Sequence, residues 1–266
     1  MKKVLVVLSG GQDSTTCLFW AHREWPGAEI HALTFNYGQK HVVEIAAAKR
    51  IVKFAGKAGI KVNHEIVDVP DILKGTSPLV NKDMPLEQYK DFNSLPGGLE
   101  KTFVPARNQF FLTVAANRAI VNGCEVIVTG VCQEDYGGYP DCRRVFIDAL
   151  EDAINLGQGT ELNEIQIHTP LMNLTKAASV ELAVALPNCY AALAYSHTSY
   201  DGKYPPTGHD HATLLRAKGF EQAGYPDPLV LRAWSEGAMN LPDSYDMNST
   251  KAKWARHELD FWNVFS

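Results

Sequence analysis

Short runs of β-branched and other apolar residues alternate along this chain with longer segments whose apolar positions recur at helical spacing, and that alternation predicts βαβ units. Strands are predicted at Val4–Leu8, Ile30–Phe35, Val62–Val67, Val126–Val131 and Glu164–His168. Helices are predicted over Ser14–His22, Val42–Ala55, Pro105–Val121, Arg143–Leu156 and Leu174–Ala185. Together they predict an α/β fold, a doubly wound parallel five-stranded sheet of Rossmann-like form, with its ligand site beyond the carboxyl ends of the strands where strand order reverses. The carboxyl end of the first strand is therefore where chemistry is expected.

Two stretches break the alternation. Pro70–Thr102, rich in Pro, Gly, Asn and Asp, predicts a long loop or lid, and loops of that length are usually functional. Ser196–Gly208 is Gly- and Pro-containing and polar, and predicts an excursion outside the core. Beyond Leu229 the chain carries Trp234, Trp254, Phe261, Trp262 and Phe265, too aromatic to float free. The expected division is a main domain over residues 1–230 and an extension over 231–266, packed on that domain or on a partner such as a second copy.

Composition narrows the class. The 266 residues are 45% hydrophobic and 21% charged, ordinary figures for a globular protein that exclude disorder and fibrous architecture. With 25 Lys+Arg against 30 Asp+Glu the formal charge is −5, which lacks the footprint of a general nucleic-acid binder and favours a small-molecule partner. Lys2-Lys3 before Val4–Leu8 imitates the start of a signal peptide, but an apolar run of five residues is short of the roughly 7–15 required, and a buried strand is the better reading. No stretch approaches the roughly 20 apolar residues of a membrane span. The cysteines at 17, 124, 132, 142 and 189 are odd in number and form no C-x-x-C pair, which fits a reducing cytoplasm.

Directly after the first strand comes Leu8-Ser9-Gly10-Gly11-Gln12-Asp13-Ser14-Thr15-Thr16, opening a helix. Two glycines let the backbone turn and bring its N–H groups to an anion, and the helix N-terminus adds partial positive charge. The Ser and Thr hydroxyls are further donors, and Asp13 is placed to hold Mg²⁺ against phosphates. The loop has no lysine and matches neither the Walker pattern nor G-x-G-x-x-G, which removes P-loop NTPases and dinucleotide dehydrogenases. It resembles the S-G-G-x-D-S loop of the ATP pyrophosphatase superfamily, whose fold is adenine nucleotide alpha hydrolase-like.

Further segments narrow the resemblance. Phe35-Asn36-Tyr37-Gly38-Gln39-Lys40-His41 with Glu44, Phe103-Val104-Pro105-Ala106-Arg107-Asn108, Gly130-Val131 with Glu134-Asp135-Tyr136, Gly138-Tyr139-Pro140-Asp141-Cys142-Arg143 and Thr169-Pro170-Leu171-Met172 with Thr175-Lys176-Ala177 resemble the 7-cyano-7-deazaguanine synthase family, in that family's order. The resemblance covers roughly Met1 to Pro228. It implies that ATP adenylates 7-carboxy-7-deazaguanine, that ammonia gives an amide, that a second ATP dehydrates it to the nitrile, and that the protein is a homodimer. Under it, Asp13, Lys176, Arg107 and Arg143 are the expected catalytic residues, the basic ones facing phosphates or the substrate carboxylate, with surface ion pairs as the plain alternative. Residues Leu8 to Thr16, with Phe35 and Tyr37 flanking adenine, are the expected ATP-binding set, although the two aromatics also suit core packing. Asp135, Tyr139 and Asp141 are expected on the substrate, the carboxylates accepting from its guanine-like edge; an N-cap for the helix near Arg143 is the other role open to Asp141.

The resemblance fails at one place. The family carries four zinc-binding cysteines in T-C-Y-x-G and C-G-x-C-x-x-C segments, and here the corresponding positions hold Ser199, Thr207, Asp210 and Thr213, although Tyr200-Asp201-Gly202 and Leu215-Arg216-Ala217-Lys218-Gly219-Phe220 persist. Hydroxyls do not replace thiolates in a tetrahedral zinc site, so that centre cannot form. Cys189, His197, His209 and His211 are the nearby soft donors, but their spacing matches no usual zinc pattern and a metal-free loop, held by other means such as the aromatic tail, is expected. A remodelled loop beside the site leaves three readings: the ordinary synthase, a relative that conjugates the activated deazaguanine to an amine on a protein or nucleic acid, and a nucleotide-binding module without turnover.

Overall fold

In strand β1 (Lys3–Val7), Val4 and Val6 face one side of the sheet and Leu5 the other, and all three are buried, as a central parallel strand requires. The structure, a computed structural model, describes residues 1–38, 42–70, 72, 73, 75, 77–81, 83–95, 98–133, 138–159 and 164–265. After β1 come α1 (Gln12–Glu24), β2 (Glu29–Asn36), α2 (Val42–Lys57), β3 (Val62–Asp68), α3 (Arg107–Asn122), β4 (Val126–Val128), α4 (Arg144–Gln158) and β5 (Gln166–His168). The chain then turns helical: α5 (Lys176–Ala185), the short α6 (Cys189–Ala192), α7 (His211–Ala223), α8 (Pro228–Ser235) and α9 (Thr250–Phe261).

The five strands are all parallel in the order β3-β2-β1-β4-β5. This is the predicted α/β doubly wound sheet. The direction of winding reverses between β1 and β4, so the crevice at their carboxyl ends is the natural ligand site. One face is covered by α3 and α4 around Leu112, Ala115, Ile147 and Leu150. The other carries α1, α2 and the later helices around Leu18, Ile51, Tyr190 and Phe220.

The end of the chain belongs to that second core. Leu231, Ala255, Leu259 and Val264 are buried in it, and Trp254 packs against Tyr190 and Tyr225 with ring centroids 5.0 and 5.6 Å away. Residue 230 lies inside α8, so the division expected there falls within a helix. Among the described residues no single helix is long and apolar enough to cross a membrane.

Candidate active site

The turn from β1 into α1 is shaped by two close approaches. Gly10 has φ +91°, and a Cβ on it would lie 2.5 Å from the Glu44 carbonyl oxygen and 2.8 Å from the Ala48 amide nitrogen, so only glycine lets α2 press on the loop. Gly130, just past β4, brings its backbone against the start of α1, where a Cβ would meet Asp13 and Ser14 backbone atoms at 3.0 and 3.1 Å. Ser9 and Ser14 brace the turn: their hydroxyls are 3.0 Å apart, the Ser9 amide donates to Ser14 Oγ, and the Gly11 amide donates to Ser9 Oγ. The open helix N-terminus faces a cavity of about 300 Å³.

The cation that the loop lacks arrives from the other end of the sheet. Thr175 caps α5 by accepting from the Ala178 amide, which sets Lys176 at the first helical position, and Lys176 Nζ lies 2.8 Å from Asp13 Oδ2. Gly219 of α7 makes room for it, since a Cβ there would meet Lys176 Cγ at 2.8 Å. Asp13 Oδ1 and both amide atoms of Gln12 are buried with no hydrogen-bond partner among the described residues. Both side chains line the cavity, so these atoms are placed to meet whatever it binds.

The opposite wall is built round Arg107. Ala106, ahead of α3, holds the left-handed conformation at φ 61°, a strained one for a residue with a Cβ, and so aims Arg107 at the cavity. Burial opposes the guanidinium charge, but Tyr37, Tyr200, Tyr139 and Asp141 around it outweigh that and hold its pKa above the ordinary arginine value. Burial, with Glu44 nearby, pushes the Tyr37 phenol up to about 12, and Arg107 hydrogen-bonds it. Phe35 stacks on Phe111 with centroids 4.2 Å apart, and Tyr37 meets the same ring edge-on. Tyr139 shares a 2.6 Å hydrogen bond with Thr102, and its phenol is pushed up chiefly by burial.

Of the residues expected from the sequence, Leu8, Ser9, Gly11, Gln12, Asp13, Ser14, Phe35, Tyr37, Arg107, Tyr139 and Lys176 line this one cavity. Others are used elsewhere. Gly10 packs on α2, and the hydroxyls of Thr15 and Thr16 donate back to the Gly11 and Gln12 carbonyls at 2.7 and 3.0 Å. Asp141 is buried outside the cavity lining and accepts from the Asn108 amide, capping α3 and not the helix near Arg143. Arg143 is exposed and outside the lining, because its backbone provides the start of α4. Asp135 lies outside the described residues.

The stretch read as a peripheral excursion roofs the cavity. His197, Thr198, Tyr200, His211, Leu215 and Arg216 all line it, and the His197 amide donates to the Gly10 carbonyl at 2.8 Å. Ser199, Asp210 and Thr213, three of the four positions aligned with the family's cysteines, hydrogen-bond to one another. Arg216, 3% exposed, pairs with Asp227 at 2.6 Å and donates to Ser196 and Thr198, and Arg232 donates to the Ala194 carbonyl. The roof is thus held chiefly by buried polar contacts. The tail also reaches it directly: Arg232 stacks on the Tyr204 ring and donates to its hydroxyl, Tyr204 donates to Glu236, and the Tyr245 hydroxyl accepts from the Asp227 amide. Among the described residues no group of three or more His, Cys, Asp and Glu is arranged to hold a metal ion. Sequence reading missed the roof residues because its signal is apolar periodicity, and this segment is buried by hydrogen bonding; the persistent Tyr200 and Leu215–Phe220 segments were the available clue.

The sequence pattern of the family described as Queuosine biosynthesis protein QueC matches residues 3–224. A 7-cyano-7-deazaguanine synthase of Gloeobacter violaceus is 49% identical over 231 residues, covering 86% of this chain and 96% of its own. The synthase of the same name from Chromobacterium violaceum is 46% identical over 235 residues, 88% of this chain and 96% of its own. That from Laribacter hongkongensis is 48% identical over 229 residues, 86% and 94% of the two chains.

Proposed function

The chain belongs to the queuosine biosynthesis protein QueC family, and on that premise we propose that it converts 7-carboxy-7-deazaguanine to 7-cyano-7-deazaguanine with ATP and ammonia. It is an ATP-dependent carbon–nitrogen ligase. The observation that carries the reading is the junction of Asp13, Lys176 and the lysine-free phosphate loop on one side of the cavity with Arg107 on the other. A carboxylate is a poor electrophile, and attack of its oxygen on the α-phosphorus of ATP expels diphosphate and leaves an acyl adenylate. Ammonia displaces AMP to give the amide. A second ATP activates the amide oxygen in the same way, and loss of AMP with the remaining amide protons gives the nitrile.

Each step gathers negative charge at the departing phosphates, where fixed donors and cations stabilise it without reorganisation. The α1 N-terminus and Lys176 provide these on one side. Arg107, kept charged within its ring of tyrosines, suits the substrate carboxylate. The orphaned Asp13 Oδ1 suits a hard divalent ion, so Asp13 would hold Mg²⁺, which when bound neutralises charge on the leaving diphosphate. Phe35 and Tyr37, on the lining beside Phe111, suit an adenine ring.

Incubation with Mg-ATP, 7-carboxy-7-deazaguanine and ammonium should yield the nitrile by mass spectrometry, with two diphosphates per product. A deazaguanine mass added to a protein or nucleic acid would instead support the conjugating relative. Nucleotide binding without diphosphate release would support the turnover-free module. Coverage of 94–96% of relatives that share one synthase name favours the nitrile. The reading includes a homodimer, supported by Val145 and Leu156, which stand 73% and 83% exposed on α4, and a cytoplasmic location, supported by five free cysteines. Sedimentation velocity tests the first.

A further inference from the structure

Asp210 is 1% exposed, and its carboxylate is the hub of the roof. Oδ1 accepts from the Thr213 amide at 3.0 Å, which caps α7. Oδ2 accepts from Ser199 Oγ at 2.8 Å, Thr213 Oγ1 at 3.0 Å and the Tyr200 amide at 3.2 Å. A helix cap needs only one of these. Two of the other three hold Ser199 and Tyr200, the second of which lines the cavity, and they have consequences on both sides of the site.

On one side, the Ser199 carbonyl meets His197 Nε2 at 2.8 Å, and the His197 amide donates to Gly10 in the phosphate loop. On the other, the hydroxyl of Tyr200 hydrogen-bonds that of Tyr139, and both rings neighbour Arg107. Tyr200 thus projects into the wall opposite the phosphate loop from a backbone whose N–H is pinned by a buried carboxylate. Swinging that backbone away would leave the Asp210 oxygen one donor short and uncouple Tyr200 from Tyr139.

We propose that Asp210 is a positioning residue: by holding the Tyr200 amide it sets the Tyr200 hydroxyl on Tyr139 beside Arg107, and so shapes the half of the cavity that takes the substrate carboxylate. The assignment of that half rests on the synthase reading. Its geometric core, that Asp210 places Tyr200, does not.

Asp210→Asn keeps Oδ1 for the α7 cap and puts an NH₂ where the Tyr200 amide, Ser199 and Thr213 need an acceptor. With 3-fluorotyrosine incorporated, the ¹⁹F resonance lost in Tyr200→Phe identifies Tyr200, and Asp210→Asn should shift or broaden that resonance while those of Tyr190 and Tyr225 stay in place. In turnover, Asp210→Asn and Tyr200→Phe should each raise KM for 7-carboxy-7-deazaguanine about 10-fold, the scale of one charge-assisted hydrogen bond, with kcat within about twofold. The double variant should be no worse in KM than either single, as residues that act through one hydrogen-bond network are not additive. A Tyr200 resonance unmoved by Asp210→Asn overturns the proposal whether or not the wild type makes nitrile. KM effects that multiply in the double variant overturn it too. If Asp210→Asn does not fold, Thr213→Val, which removes one donor to the same Oδ2, is read by the same resonance and the same criteria.

Discussion

The two oxygens of Asp13 do different work, one paired with Lys176 and the other buried and unpartnered against the cavity. Asp13→Ala should therefore abolish diphosphate release in a protein that still folds, since the change removes an acceptor from the site and none from the core. Lys176→Ala should lower kcat by roughly 10²–10³-fold, as loss of one preorganised charge-stabilising group does. Gly219→Ala is a subtler test. Its Cβ would meet Lys176 Cγ at 2.8 Å and the Lys176 carbonyl carbon at 3.3 Å, so α5 and α7 must part slightly: Tm should fall modestly while diphosphate release falls further with the displaced ammonium. Equal losses of both would mean that Gly219 serves packing alone. At this scale the sequence was informative about identity but not employment. The loop's Ser, Thr and Asp residues are donors and acceptors by type, yet Thr15 and Thr16 spend their hydroxyls inside α1, and only the folded backbone separates them from Ser9 and Ser14.

Among the elements, α3 and α4 could be read from periodicity because their buried positions are apolar, whereas α7 could not. Its buried face contains His211, Arg216 and Gly219 beside Leu215 and Phe220, so the helical repeat is present but written partly in polar residues. The strands were legible to within a few residues, apart from β4, which ends at Val128: Thr129 still donates to the His168 carbonyl, and Gly130 then turns against the start of α1. The polar residues of α7 are structural in a measurable way. Arg216→Ala leaves the Asp227 carboxylate buried and unpaired at the start of α8, and should cost about 3–5 kcal/mol of stability, seen in denaturant unfolding. A loss below about 1 kcal/mol would mean that the pair is solvated in solution.

For the whole molecule, burial holds the pKa of His64, His168 and His197 below the ordinary histidine value, so the fold binds fewer protons than the unfolded chain once pH falls beneath that value. Stability should therefore be level above about pH 7 and decline toward about pH 5, and a Tm that rises on acidification would contradict the neutral, buried state of these rings. The location of the site follows from the strand order β3-β2-β1-β4-β5, and that much was implicit in the alternation of elements. The roof was not, because it joins residues near 10 to residues near 200 through hydrogen bonds that leave no periodic trace. That junction also has a schedule. The phosphate loop leaves the ribosome roughly 200 residues before Arg216 and its anchor Asp227, and the cavity lacks a wall until they have followed. At about 5–20 residues per second that interval is roughly 10–40 s, during which the nascent chain carries a phosphate loop it cannot yet enclose.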